Sequence, residues 1–244
     1  MKRIIKAFTL TLAGCSLVLG CNKSQEGSLG SIVFQLSQDE ALTEITKSSV
    51  GSYTSLPSAD DFSIVVTNSN DEQIEIKDPK AQTSLPAGSY SAKAFYGSTS
   101  DEGFDKPCFE GTQAFSVTGG QSSNVTIKTK LANALVKFEY TENFKKYYTD
   151  YSFTLTTGKG TSISFPASET RAAFIDAYVM TVKGSLTTQG GSTLSFPEKE
   201  YKGLEAATCY TLKFDASNVG GTTVSISFND TVEEVDLGEI DLND

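Results

Sequence analysis

The sequence predicts an all-β protein of two tandem β-sandwich domains, transthyretin-like or immunoglobulin-like, behind an N-terminal export signal. Short apolar runs with a period of two alternate with Gly, Pro, Ser and Asn along the chain, and helical periodicity is scarce. These runs recur in the same order in the two halves. The chain also opens on a cationic segment followed by an apolar one, the layout of a secreted protein.

The N-terminal segment is predicted to be a signal peptide over residues 1–20. Lys2, Arg3 and Lys6 precede an apolar run from Ala7 to Gly20. This run is shorter than the roughly 20 apolar residues that span a bilayer. Its length suits the apolar region of a secretory signal instead.

Two cysteines in this segment fit a pattern that resembles the bacterial lipoprotein signal, in which a cysteine becomes residue one and is acylated. Cleavage before Cys21 uses the whole apolar run and leaves the polar stretch Asn22–Glu26. Cleavage before Cys15 would leave apolar residues at the start of the mature chain. We therefore predict lipidation, including palmitate, at Cys21, with residues 21–29 as a tether. The alternative is an ordinary secretory signal without lipid.

The predicted anchor gives the protein a location. Two or three acyl chains hold a protein stably on a bilayer, whereas one chain binds only reversibly. The expected partner is therefore the outer membrane, through the lipid. Whether the protein faces the cell surface or the periplasm stays open at this point.

Charge and composition exclude several classes of function. The chain has 20 Lys and Arg against 30 Asp and Glu, and three of those cations lie in residues 1–20. This acidity argues against a nucleic-acid partner, which needs clustered cations. His is absent, so Ser-His-Asp and Cys-His catalysis and most zinc sites are excluded. We predict no enzyme activity, no catalytic residue, no metal and no cofactor.

The two halves of the chain follow one plan, which indicates a duplicated β-sandwich. The boundary falls near Lys130, so the predicted domains are residues 30–130 and 131–244. Side chains alternate along each run, which lets two sheets bury a common core. The matching runs are Ser31–Leu36 with Ala134–Tyr140, Asp61–Thr67 with Asp150–Thr156, Ser89–Gly97 with Ala177–Gly184, and Asn124–Thr129 with Tyr210–Phe214.

Two further segments have a definite expected structure. Gly158-Lys159-Gly160 lacks the spacing of a phosphate-binding loop and is predicted to be a hairpin turn. The stretch Asp230–Leu242 alternates acidic and apolar residues. It predicts a final edge strand whose acidic face blocks edge-to-edge pairing. A strand donated to a neighbouring subunit is the alternative.

Two cysteines, Cys108 and Cys209, remain after the signal. An oxidising compartment permits a disulfide between them. They lie in different predicted domains, and sequence alone does not show whether their Cα atoms approach within bonding range. A disulfide and two buried apolar side chains are both open readings.

Aromatic residues on the Ser98–Gly111 loop suggest a ligand site at Tyr96, Phe104 and Phe109. Tyr rings present an apolar face and a polar group to a sugar, and loops on rigid sandwiches often bind ligands. The alternative is that these rings cover a sandwich end or the domain junction. The same alternative applies to a second cluster, formed by Phe144, Tyr147, Tyr148 and Tyr151.

Several stretches together resemble a family of uncharacterised lipoproteins, of unknown domain function, from Bacteroidales-type gut bacteria. The resemblance covers nearly everything from Ser28 to Ala216. It implies a cell-envelope lipoprotein and implies no activity. The stretches are Leu85–Tyr90, Phe104–Gly111, Lys130–Asn133, Phe144–Ser152 and Glu169–Ala173.

A more distant similarity is to fimbrillin-like proteins, which are lipoprotein precursors with two β-sandwiches that polymerise by strand donation. Maturation there resembles cleavage after an N-terminal arginine. This chain has no Arg between Arg3 and Arg171, which puts that route in doubt. Asp230-Thr231-Val232 also resembles the short O-glycosylation motif of the same bacteria, which would modify Thr231.

The expected function is that of a non-enzymatic envelope lipoprotein that presents a binding or adhesive module. Glycan or another surface protein is the expected ligand. The alternative is a structural subunit of a fimbria-like surface assembly.

Overall fold

A computed structural model describes residues 27–42, 49–216, 223–228 and 231–237 of the chain. The predicted signal peptide and Cys21 lie outside the described residues. The described part is nearly all strand, arranged in sandwich-like sheets, which confirms the predicted fold class. No helix in these ranges has the length and apolar character needed to cross a bilayer.

Short strands dominate the chain because its apolar residues alternate with polar ones. In the described ranges one α-helix, α1, spans Glu142–Tyr147, and short 3-10 helices span Val50–Ser52 and Ala59–Asp61. The strands are β1 Leu29–Asp39, β2 Ser63–Asn68, β3 Gln73–Ile76, β4 Thr83–Pro86, β5 Gly88–Tyr96, β6 Gly103–Phe104, β7 Phe109–Val117, β8 Ser122–Leu131, β9 Asn133–Tyr140, β10 Tyr148–Thr157, β11 Ser162–Pro166, β12 Ala173–Asp176, β13 Val179–Thr188, β14 Thr193–Lys202, β15 Cys209–Ala216, β16 Thr223–Phe228 and β17 Thr231–Asp236.

The first domain is one seven-stranded sheet that folds over its own core. The strand order is β3-β2-β5-β7-β8-β1-β4. β7 and β8 pair only through Phe109↔Leu131 and Glu110↔Lys130, so the sheet bends there. Gly111 follows directly, and a Cβ at this residue would lie 2.1 Å from the Lys128 carbonyl oxygen. The two halves enclose one core, which includes Ile32, Phe34, Ile64, Val66, Ala92, Val125 and Ile127.

The second domain is a sandwich of two separate sheets. A four-stranded sheet, β11-β10-β13-β14, packs against a six-stranded sheet, β17-β16-β15-β9-β12-β6. Phenylalanine side chains meet at the centre of this core. The ring centroids of Phe138 and Phe165 are 4.2 Å apart, and those of Phe153 and Phe214 are 4.3 Å apart. α1 covers one end of the core through the buried Phe144.

The predicted repeat is visible in the strand pairing. β1 pairs in parallel with β8 in the first domain, as β9 pairs in parallel with β15 in the second. β2 pairs antiparallel with β5 in the first domain, as β10 pairs antiparallel with β13 in the second. The short strands β4 and β12 likewise pair antiparallel with β1 and β9. The second copy differs by the addition of β16, β17 and the two-residue β6.

The two domains are packed directly on each other. β8 ends at Leu131 and β9 begins at Asn133, so a single residue separates the two sheets. Alternate residues of the six-stranded sheet then face opposite ways. Ala134 and Val136 enter the core of the second domain. Leu135, Phe174 and Cys209 on the opposite face join the core of the first domain.

Cys108 and Cys209, whose pairing the sequence does not decide, are both buried, and no disulfide joins them. The backbone N–H of Cys108 donates a hydrogen bond to Oδ1 of the buried Asn133, at 2.5 Å. Burial raises the pKa of the Cys108 thiol to about 11. Cys209 belongs to the shared core at the domain contact.

The C-terminal strand lies where the sequence predicts it. β17 pairs antiparallel with β16 and forms one edge of the six-stranded sheet. Val235 on this strand points into the second core. β1 begins at Leu29, within the predicted tether of residues 21–29.

The domain contact makes a prediction for stability. We expect Phe174→Ala to lower the free energy of unfolding by about 3–5 kcal/mol, since this ring is fully buried between the two domains. Chemical denaturation followed by circular dichroism measures the change. Phe95→Ala is the matched control, because the Phe95 ring is only half-buried. A loss for Phe174→Ala no larger than that of the control would contradict the packed contact.

Candidate functional site

The Ser98–Gly111 loop, which the sequence predicts to carry a ligand site, connects the two domains. β5 ends at Tyr96 and β7 begins at Phe109, and the connection between them contains β6. β6 pairs antiparallel with β12, in the registers Phe104↔Ala173 and Gly103↔Phe174. A loop of the first domain therefore provides an edge strand of the second domain.

Glu102 fastens this loop to the second domain. One carboxylate oxygen accepts a hydrogen bond from the backbone N–H of Asp176 at 2.8 Å, and the other accepts from the Thr157 hydroxyl at 2.6 Å. Lys159 adds two contacts beside it. Its ammonium group lies 3.2 Å from the Asp176 carboxylate and donates to the Thr99 carbonyl oxygen at 2.8 Å.

Phe104 takes part in the same contact between the loop and the second domain. Its ring packs edge-on against Phe165 with centroids 5.2 Å apart, and the Arg171 guanidinium lies 4.5 Å from its centroid. Arg171 also pairs with Glu169 at 2.9 Å and with Asp105 at 3.0 Å. The hydrogen bond to Glu169, and then the charge of both carboxylates, raises the pKa of Arg171, so it stays charged.

Phe109 lies in the core of the first domain. Its side chain is fully buried, and its ring centroid is 6.3 Å from that of Phe62. A fully buried ring offers no face to a ligand, so Phe109 can only support the residues around it. Of the three predicted binding residues, Tyr96 lines a cleft.

Tyr96 lines an open cleft of about 270 Å³ at the base of the loop, which we name the Tyr96 cleft. The ring is half-buried, and its centroid lies 5.8 Å from that of Phe62 in the first core. The ring therefore packs near the core and also lines the cleft. The cleft is lined by Tyr96, Gly97, Ser98, Asp101, Asp105, Lys106 and Pro107.

The charges in the Tyr96 cleft are paired. Lys106 Nζ lies 3.0 Å from the Asp101 carboxylate. Asp105 receives Arg171 and, at 3.3 Å, the hydroxyl of Thr54. An aromatic face beside paired donors and acceptors suits a neutral polyhydroxylated ligand. Among the described residues, no group of three or more Cys, Asp and Glu side chains is placed to hold a metal ion.

Gly97 lines the cleft. Its φ is +69°, and a Cβ at this residue would lie 2.5 Å from the Pro107 carbonyl oxygen. Glycine is the residue that tolerates both the left-handed backbone and the close approach. The backbone at the two ends of the loop can therefore come together within the lining of the cleft.

Sequence reasoning missed the residues that position the loop. Arg171, Lys159 and Thr157 are distant in sequence and contact the loop only through the fold. One signal was available, since Arg171 is the only arginine after Arg3. The second aromatic cluster proved to be packing, because Phe144, Tyr148 and Tyr151 are buried in the second core. Thr231 begins β17, and Asp230 before it lies outside the described residues.

Fold and cleft together define a tandem β-sandwich protein whose two domains share one cleft-bearing loop. The chain belongs to the DUF4493 family, a domain of unknown function, whose match covers residues 28–242. The predicted membership in a family of unknown domain function is thereby confirmed. A comparison with proteins of curated function found no match.

Solved structures from Bacteroides and Parabacteroides species are similar to this chain. A fimbrial assembly protein from Parabacteroides distasonis is 11% identical with a TM-score of 0.46, covering 86% of this chain and 99% of its own. A candidate cell adhesion protein from Bacteroides ovatus is 12% identical with a TM-score of 0.44, covering 89% and 100%. A candidate polysaccharide-binding protein from Bacteroides thetaiotaomicron is 11% identical with a TM-score of 0.44, covering 84% and 97%.

The close approach of Gly97 to Pro107 leads to a second prediction. Gly97→Ala should lower the free energy of unfolding by about 1–3 kcal/mol more than Gly120→Ala. Both glycines have positive φ, so both substitutions carry the left-handed penalty of about 1–2 kcal/mol. Only Gly97 faces a backbone atom, since a Cβ at Gly120 meets nothing within 4 Å. Equal losses for the two variants in chemical denaturation would refute the close approach to Pro107.

Proposed function

We propose that this protein is a non-enzymatic cell-envelope lipoprotein that binds glycan in the Tyr96 cleft. The observation that carries the proposal is the cleft itself. It combines a supported aromatic ring with paired polar groups on a loop fastened at both domains. Preformed sites of this kind bind with little loss of conformational entropy.

The position of the cleft suits a ligand that approaches from the side of the domain away from the predicted lipid anchor. Ala87 beside the start of β5 donates a hydrogen bond to the Ser28 carbonyl oxygen at 2.9 Å, next to the predicted tether. β5 then runs from Gly88 to Tyr96, which is about 26 Å at 3.3 Å per residue. The cleft and the tether therefore lie at opposite ends of β5.

The length of the tether supports the same arrangement. Gly27 follows Cys21 by six residue steps, and an extended chain of this length reaches at most about 22 Å. A lipid on Cys21 would hold the Gly88 end of the first domain near the bilayer. The cleft would then open toward the far side of the domain, in an outer-membrane protein that displays it.

The glycan proposal is tested at Tyr96. We expect Tyr96→Ala to weaken binding to a mucin-glycan array about tenfold or more, because the ring supplies the apolar face of the cleft. Tyr96→Phe keeps the ring and is the matched control, with a loss of a few-fold at most. The array is read with residues 22–244. Unchanged binding by Tyr96→Ala would contradict the assignment of this cleft as the glycan site.

A structural subunit of a fimbria-like assembly is the second candidate function. One observation favours it: β17 ends the six-stranded sheet and pairs only with β16 among the described strands. An edge strand can accept or exchange a strand with a neighbouring subunit. Strand exchange would make the native protein an oligomer, whereas an anchored binding module needs only one copy.

One membrane experiment tests the anchor and separates the two functions. Wild type, Cys21→Ser and Cys15→Ser are expressed in bacteria fed labelled palmitate, and the membrane extracts are run without heating. We expect label and a single species near the mature mass for the wild type and for Cys15→Ser. We expect Cys21→Ser to lose the label, because that thiol is the predicted acyl acceptor.

The possible contrary results are distinct. Loss of label in Cys15→Ser, with label kept in Cys21→Ser, would move the anchor to Cys15. The absence of label from all three proteins would indicate an ordinary secretory signal without lipid. A ladder of sizes that collapses on heating would favour the fimbria-like subunit over the monomeric binding module.

A further inference from the structure

Tyr178 is an aromatic residue that neither core uses. Its side chain is 69% exposed, the highest value among the large apolar side chains of the described residues. The ring belongs to neither core, and it stands on a tight turn between β12 and β13. Exposed, fixed aromatic rings are the groups that binding surfaces use as contacts.

The backbone of Tyr178 is held in place by its neighbours. Its carbonyl oxygen accepts hydrogen bonds from the N–H groups of Gly203 at 3.0 Å and Leu204 at 3.2 Å. Its own N–H donates to the Asp176 carbonyl oxygen at 2.9 Å. The turn is therefore fixed from both sides, and a ligand that meets the ring finds its backbone already ordered.

The ring itself rests on a bare hairpin. A Cβ at Gly158 would lie 3.3 Å from Cδ1 of Tyr178 and 2.7 Å from Cγ1 of Val179. Glycine therefore leaves the space that one side of the ring occupies. The predicted hairpin turn around Gly158 is confirmed by the antiparallel pairing of β10 and β11. Most of the Tyr178 side chain remains exposed to solvent.

Two ion pairs lie close to Tyr178 in the fold. β13 and β14 pair in the register Val179↔Lys202, which brings Lys202 beside the turn. Lys202 Nζ lies 2.7 Å from the Glu200 carboxylate. Asp176, two residues before Tyr178, lies 3.2 Å from Lys159. These two ion pairs supply hydrogen-bond donors and acceptors near the turn that carries the ring.

The surface around Tyr178 continues into the Tyr96 cleft. Lys159 follows Gly158 in the hairpin and donates a hydrogen bond to the Thr99 carbonyl oxygen at 2.8 Å. Thr99 follows Ser98, which lines the cleft. One strip of contacting residues therefore links the two aromatic rings across the domain boundary.

We propose that Tyr178 is a second sugar-binding position and that the ligand of this surface is a neutral oligosaccharide of several units. The proposal rests on the proposed function of the Tyr96 cleft and extends it along the strip. A short sugar would occupy the cleft alone, whereas a longer chain would also stack on Tyr178. Binding should therefore strengthen with chain length.

Charge selects neutral sugars over acidic ones. Lys106, Lys159, Lys202 and Arg171 each lie within 3.2 Å of a carboxylate, so each of these cations is already paired with an acidic group. The whole chain also carries a formal net charge of −10. Like charge weakens association, so sialylated or sulfated glycans are disfavoured.

The experiment measures the affinity of residues 22–244 for neutral mucin oligosaccharides of one to eight units by calorimetry. We expect the wild type to bind the longest chains about tenfold more tightly than the shortest. Tyr178→Ala should remove this gain and leave the shortest ligand unchanged. Tyr178→Phe should keep the gain, and Leu29→Ala, an exposed residue at the tether end, should match the wild type.

Each result decides between the two proposals. If Tyr178→Ala keeps the full gain while Tyr96→Ala loses binding, the second position is wrong and the glycan function stands. If the wild type binds no oligosaccharide of any length, both proposals fail. If sialylated chains bind more tightly than neutral chains of equal length, the neutral ligand class is overturned.

Discussion

The structure depends on one sheet that is buried on both faces where the domains meet. Leu135, Phe174 and Cys209 belong to the core of the first domain, although their strands are part of the second. A sheet buried on both sides must exclude water from both, so the two sandwiches pack as one body at this contact. The loop that carries the cleft is placed by that contact, since β6 extends the same sheet.

The duplication explains how such a contact arises from two similar halves. Each half pairs its first strand in parallel with its last, as β1 with β8 and β9 with β15. The second copy leaves its β12 edge open to a further strand, and β6 from the first copy takes that position. A two-residue strand contributes little energy itself, so Glu102 and Arg171 add charged hydrogen bonds around it.

Much of the fold was predictable and much of the site was not, for physical reasons. A period of two marks a half-buried strand along its whole length, so β1, β5 and β8 could be identified from their residues. β6 has only two residues and no period, and its partner lies about 70 residues away. Tyr96 and Phe109 are paired in register and face the same core, which composition alone does not show.

The parallel pairing of β1 with β8 has a mechanical consequence. A tether at the start of β1 and a ligand held beside Tyr96 would place the first domain under tension when liquid flows past the cell. The pull on β1 runs along the strand, across its hydrogen bonds to β8, over nine registered pairs. Bonds loaded in this way share the force and break together, so the domain resists stretching instead of unzipping from its end.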